Sequence, residues 1–123
     1  MVQLAGPPGW PAEVHPPGAP GWEVTADRWL LDICPPEFRS YAVLRRHVVV
    51  LARFAAVQTE AAIEASRQAL REARTSLRDY VDPETVERAV QAWEREIARL
   101  GARRRAVDLV EQALRGREFR PRL

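Results

Sequence analysis

Asp82-Pro83-Glu84-Thr85 stands between two long runs in which apolar side chains return every three or four residues, and this punctuation restricts the possible folds most. Asp82 is suited to cap a helix N-terminus, Pro83 to its first position, and Glu84 to the positive end of its dipole. A helix is therefore predicted from Pro83 to about Arg115. Val86, Val90, Trp93, Ile97, Leu100, Val107, Val110 and Leu114 form its apolar seam, and Gly116 stops it. Upstream, Leu44, Val48, Leu51, Ala55, Gln58, Ala62, Ala65, Ala69, Ala73 and Leu77 predict a first helix from Tyr41 to Leu77. Phe54 and Ile63 widen its apolar face. Each helix would span roughly 50 Å.

Asp79 to Asp82 is the turn between them. So short a connection predicts an all-α antiparallel hairpin, packed side by side in the manner of a coiled coil. With the turn centred near residue 81, facing positions sum to about 162. Glu60 then lies near Arg103, Glu64 near Arg99, and Arg67 near Glu94 or Glu96. Gly101, inside the second helix, would permit a bend or a close crossing.

Residues 1–22 read as a separate proline- and glycine-rich docking arm, ahead of a helical domain over residues 23–123. The arm carries two similar pieces, Pro7-Pro8-Gly9-Trp10 and Ala19-Pro20-Gly21-Trp22. Proline removes donors and glycine supplies turns, so neither helix nor strand interior is expected there. Trp10 and Trp22 would anchor the arm, because each buries on the order of 150–250 Å² when docked. A short helix follows, capped by Thr25 and running to about Ile33, with Trp29, Leu30 and Ile33 on its apolar side. Pro35 and Pro36 end it, since Pro35 turns Cys34 away from helical geometry. Pro36 and Glu37 can open a further turn containing Phe38, and Ser40 is placed to cap the first long helix.

Two helices of this length leave their outer faces bare, and a short helix with an arm covers only part of them. A second copy, giving a four-helix homodimer, is the simplest completion. Tyr41, Leu44, Leu51, Phe54, Trp93, Ile97 and Leu100 are the structural or interface candidates, with Trp10 and Trp22 from the arm. An unidentified protein partner would serve the same faces.

Catalytic chemistry finds no recognisable arrangement. Cys34 is the only cysteine, so neither an intrachain disulfide nor a cysteine zinc cluster can form. It reads as a buried structural thiol. His15 and His47 are far apart and lack a HExxH pattern. Glu60 and Glu64 sit one turn apart but have no histidine three residues on, as a carboxylate di-metal helix bundle would require. No phosphate-loop or dinucleotide glycine pattern is present. The catalytic residues are thus unassigned and no metal or cofactor is implied, although an enzyme or ligand-binding protein with a site at a subunit seam stays open as a lesser alternative.

All 19 basic residues are arginine, yet net charge is only +2. Residues 1–40 hold two arginines against five acids, a net −3, and residues 101–123 hold seven against three, a net +4. Arg99, Arg103, Arg104, Arg105, Arg115 and Arg117 make nucleic acid the main alternative partner. Glu96, Asp108, Glu111 and Glu118 interleave with them, which favours a solvated helix surface. No run of apolar residues reaches transmembrane length and no leader peptide is apparent, so a soluble cytoplasmic protein is expected. The composite expectation is a noncatalytic helical structural or protein-interaction module.

Overall fold

The structure is a computed structural model that describes residues 6–116. It is all-α, with helices α1 (Trp22–Ile33), α2 (Ala42–Arg46), α3 (Val48–Leu77) and α4 (Pro83–Leu114), and a 3₁₀ turn over Pro36–Ser40. The two long helices, α3 with 30 residues and α4 with 32, pack closely along each other. The remaining elements gather at the open end of this hairpin.

The hairpin turn forms as its residues dictate. The N–H groups of Tyr80 and Val81 both donate to the carbonyl of Leu77, at 2.9 and 3.1 Å, which closes α3. The Asp82 carboxylate accepts from the N–H of Thr85 at 3.0 Å, and Pro83 occupies the first turn of α4. Hydrogen bonding from Thr85 holds the Asp82 carboxyl below the usual carboxylate range. At the far end Gly116, with φ of 82°, donates to the Ala113 carbonyl and stops the helix.

Three expected boundaries move. The predicted first long helix is broken at His47, whose φ and ψ of −129° and 91° are extended and separate α2 from α3. Val48, Val49 and Val50 follow, and three successive β-branched residues favour helix poorly. Both sides of the break remain anchored, because Leu44 and Leu51 are completely buried. Ser40 does not cap: its hydroxyl donates to the Glu37 carbonyl at 2.7 Å, and α2 begins after Tyr41 without a side-chain cap. Nor does Thr25 start α1, which opens three residues earlier at Trp22. The Thr25 hydroxyl instead donates to the Trp22 carbonyl at 2.7 Å and accepts from the His15 N–H at 3.0 Å.

Residues 6–21 form successive turns in which prolyl or alanyl carbonyls accept. Trp10 N–H bonds to Pro7, Ala19 N–H to Pro16 and Trp22 N–H to Ala19, at 2.9 to 3.1 Å. Each of these three turns has proline second and glycine third, and Gly21 with φ of 72° and ψ of 11° has the positive-φ geometry of a type II turn. Val14, from this segment, is 3% exposed and belongs to the main core cluster. The indole N–H of Trp10 donates to the Val14 carbonyl at 3.0 Å, and its ring lies 5.9 Å from that of Trp22.

The core cluster joins Val14, Trp22, Ala26, Leu30 and Cys34 to Leu44 of α2, to Leu51, Ala52, Ala55 and Ala56 of α3, and to Val107 and Val110 of α4. Burying a leucine such as Leu30, Leu44 or Leu51 contributes about 1.5–3 kcal/mol each. Beyond it the hairpin is only two helices thick, held by Ile63, Ser66 and Ala73 opposite Val86, Val90 and Leu100. The seam of α4 follows the sequence pattern. That of α3 does not: Gln58 and Ala65 are exposed, Ala62 and Ala69 half-buried, and the inward positions are Thr59, Ile63 and Ser66. Thr59 tolerates burial because its hydroxyl donates to the Ala55 carbonyl at 2.7 Å.

Candidate functional site

The rotation of the α3 seam determines what the helix shows on its other side. With Thr59, Ile63 and Ser66 turned inward, Phe54, Val57, Ala61 and Ala65 face outward. Phe54 is 43% exposed and Val57 62%, and Tyr41 at the head of the strip is 50% exposed. Phe38 props this end. Its ring lies 5.8 Å from Phe54, edge to face, and 6.1 Å from Tyr41. The aromatic group is thus held in place from behind while still open in front.

Beside the strip runs a groove of about 390 Å³. Ala56, Val57 and Ala61 form its floor; Arg53, Glu60, Glu64 and Arg104 form its walls. Arg104 bridges from α4, pairing with Glu60 at 3.2 Å and with Asp108 on its own helix. Among the described residues, Glu64 reaches Arg71 at 3.5 Å and Arg67 at 3.8 Å. Arg53 lies 3.5 Å from Glu111, whose other oxygen is held by Arg115 at 2.9 Å. These pairs correct three expectations. Glu60 meets Arg104 rather than Arg103, Glu64 pairs along α3 and not with Arg99, and Arg67 pairs with Glu64 instead of Glu94 or Glu96. Helix positions one residue apart diverge by about 100°, so a small error in register selects a different partner. Arg74 with Glu87 at 2.9 Å is the cross-helix pair near the turn.

The interface candidates separate by depth. Leu44, Leu51, Leu100 and Trp22 are buried within the chain, Trp10, Trp93 and Ile97 are half-buried, and Tyr41 and Phe54 are exposed. Only the last two join the outward strip. Val57 and Ala61 complete it, and the sequence pattern did not select them because alanine occurs on both faces of α3. The available signal was Val57, a second bulky residue one turn after Phe54 and off the predicted seam.

Among the described residues, three of the candidate arginines are paired with acids. Arg99 pairs with Glu96, its Nε at 2.9 Å, and Arg104 and Arg115 are engaged as described. Arg103 is half-buried and its pKa is lowered, chiefly by burial and then by Arg99. Arg105 is exposed. Arg117 lies outside the described residues. Burial pushes the Cys34 thiol up to about 11, with Arg103 pulling the other way, so the thiol stays protonated and unreactive near neutral pH.

Neither histidine enters a site: His15 and His47 are exposed and well apart in sequence. Among the described residues, no group of three or more His, Cys, Asp or Glu side chains is placed to share a metal ion. Two other cavities are open clefts. One of about 340 Å³ lies at the hairpin turn against Val81, Pro83 and Val86, with Arg74, Arg78 and Glu87 at its edge. The other, of about 320 Å³, is the charged notch of Arg53, Asp108, Glu111, Gln112 and Arg115. No helix among the described residues is long and apolar enough to cross a membrane. No protein-family model, curated protein or solved structure matches this chain.

Proposed function

We propose that the chain is a noncatalytic helical interaction module that acts as a homodimer, pairing through the outer face of α3 into a four-helix, coiled-coil-like assembly. The observation that carries this reading is the outward strip itself: Tyr41, Phe54 and Val57 are exposed beside an apolar-floored groove. A contiguous apolar strip rimmed by charge has the composition of a protein interface. Residues 1–22 act in this reading as a docking arm, whose proline–glycine turns close the open end of the hairpin and leave α3 as the face for association. Leu44, Leu51 and Leu100 then serve the fold, and Tyr41 and Phe54 serve the contact.

Nucleic-acid binding through the arginine-rich end takes second place, because Arg99, Arg104 and Arg115 already neutralise acids beside them. Light scattering across a protein concentration series tests the primary reading. A mass moving toward twice 14.0 kDa as concentration rises is the expected result. A mass of one chain at every concentration overturns it.

A further inference from the structure

The outer strip of α3 is graded in size and in charge. Phe54 and Val57 are bulky, whereas Ala61 and Ala65, further along the same face, are small. On the flank beside them Arg53 precedes Glu64 by three turns, roughly 16 Å at the α-helical rise. A strip with Arg53 beside its bulky end and Glu64, which also contacts Arg67 and Arg71, beside its small end matches a reversed copy of itself in both size and charge. We propose that the two α3 helices of the dimer pack antiparallel about a two-fold axis near residues 58 and 59, with Arg53 of each copy facing Glu64 of the other.

This inference rests on the homodimer reading above and deepens it by assigning orientation and register. In an antiparallel pair the same flank of each helix meets across the axis, so Arg53 and Glu64 are adjacent twice. Val57 of one copy enters the groove that Ala61 and its neighbours floor in the other, a knob entering a hole. A parallel arrangement instead sets the Arg53 and Glu64 flank of each copy against the opposite flank of the other, so the two charges never meet; it also crowds the two Phe54 rings together and leaves the alanines across a gap. Both charged groups are free to re-aim. The existing contacts of Arg53 with Glu111 and of Glu64 with Arg71 are 3.5 Å long, and the side chains of Arg53 and Glu64 are 49% and 65% exposed.

Charge reversal measures the register. Arg53→Glu and Glu64→Arg should each weaken dimerisation roughly tenfold, since each places like charges together twice. The double variant should recover wild-type affinity. Singles that leave affinity unchanged, or a double that stays weak while circular dichroism shows full helicity, overturn the antiparallel register. Cysteine crosslinking supplies an independent measurement. Gln58→Cys lies near the axis and should link to itself across the dimer. Gln68→Cys should not, because its two copies would be roughly 28 Å apart along the axis. Efficient self-crosslinking at position 68 overturns the orientation. A wild-type chain that is monomeric throughout removes the homodimer reading itself, and this inference with it; a wild-type dimer that fails the charge or crosslinking test removes the register alone.

Discussion

Among the described residues, Oδ1 of Asp27 is the one buried side-chain oxygen without a hydrogen-bond partner. Burial raises the pKa of this carboxyl, because loss of water penalises the charged form. The sign follows for stability. A carboxyl whose folded pKa exceeds its unfolded value favours the fold while protonated, and that contribution is lost as pH rises through the folded pKa. At neutral pH the ionised Asp27 therefore works against folding. Asp27→Asn, neutral and of the same shape, should stabilise the protein at pH 7 by less than about 1 kcal/mol, since solvent still screens the rest of the half-buried side chain. Denaturant titrations at pH 7 and pH 3 check this. The gain should shrink at the acidic value, where the wild-type carboxyl is itself neutral; a gain of equal size at both pH values would trace the effect to packing.

At the scale of an element, α4 carries a testable weakness in Gly101. A Cβ added there would meet nothing nearer than an Arg105 nitrogen, the tip of a flexible side chain, at 3.8 Å. No close crossing or bend-forming contact requires the glycine. Gly101→Ala should therefore stabilise the protein by about 1 kcal/mol, the ordinary helix-interior difference, read as a higher denaturation midpoint with an unchanged m-value. The same helix shows what sequence makes legible. Asp82, Pro83 and Gly116 are local signals, and valines at Val86, Val90, Val107 and Val110 mark a single face, so α4 was readable from end to end. In α3 the signal was weaker. Its alanines are small enough for either face, and its inward Thr59 and Ser66 look polar until their burial is known. The seam prediction drifted by one position at Gln58, and that drift concealed Val57 and Ala61 as members of the outward strip. His47 interrupts the helix without proline or glycine, leaving only the following valines as a faint warning. Thr25 was misread because its hydroxyl has two uses, and the one it adopts depends on His15, ten residues earlier.

The whole molecule is unevenly built, and that unevenness bears on association. One end of the hairpin has α1, α2 and the proline–glycine turns packed around Leu30, Leu44 and Leu51, while the tip is two helices with Ser66 and Ala73 on one side of the seam and Val86 and Val90 on the other. An isolated helix pair of this kind buries little apolar area per residue, so a second copy laid along α3 would add a substantial share of the total stability. Association coupled to folding makes the thermal midpoint depend on protein concentration, because dilution removes the bound partner. The wild-type midpoint should thus rise across a hundredfold concentration range. Val57→Asp separates this contribution from the chain's own stability. Val57 is 62% exposed, so replacing it should alter the single chain by about 0.5 kcal/mol or less. Within a dimer, however, the same change buries an aspartate against the Glu60 and Glu64 flank of the other copy. Differential scanning calorimetry should find that Val57→Asp matches the dilute wild type and shows no rise with concentration. A midpoint below that of the dilute wild type at every concentration would mean that Val57 matters to the fold of one chain, and a rise equal to wild type would move the association surface away from the outer face of α3.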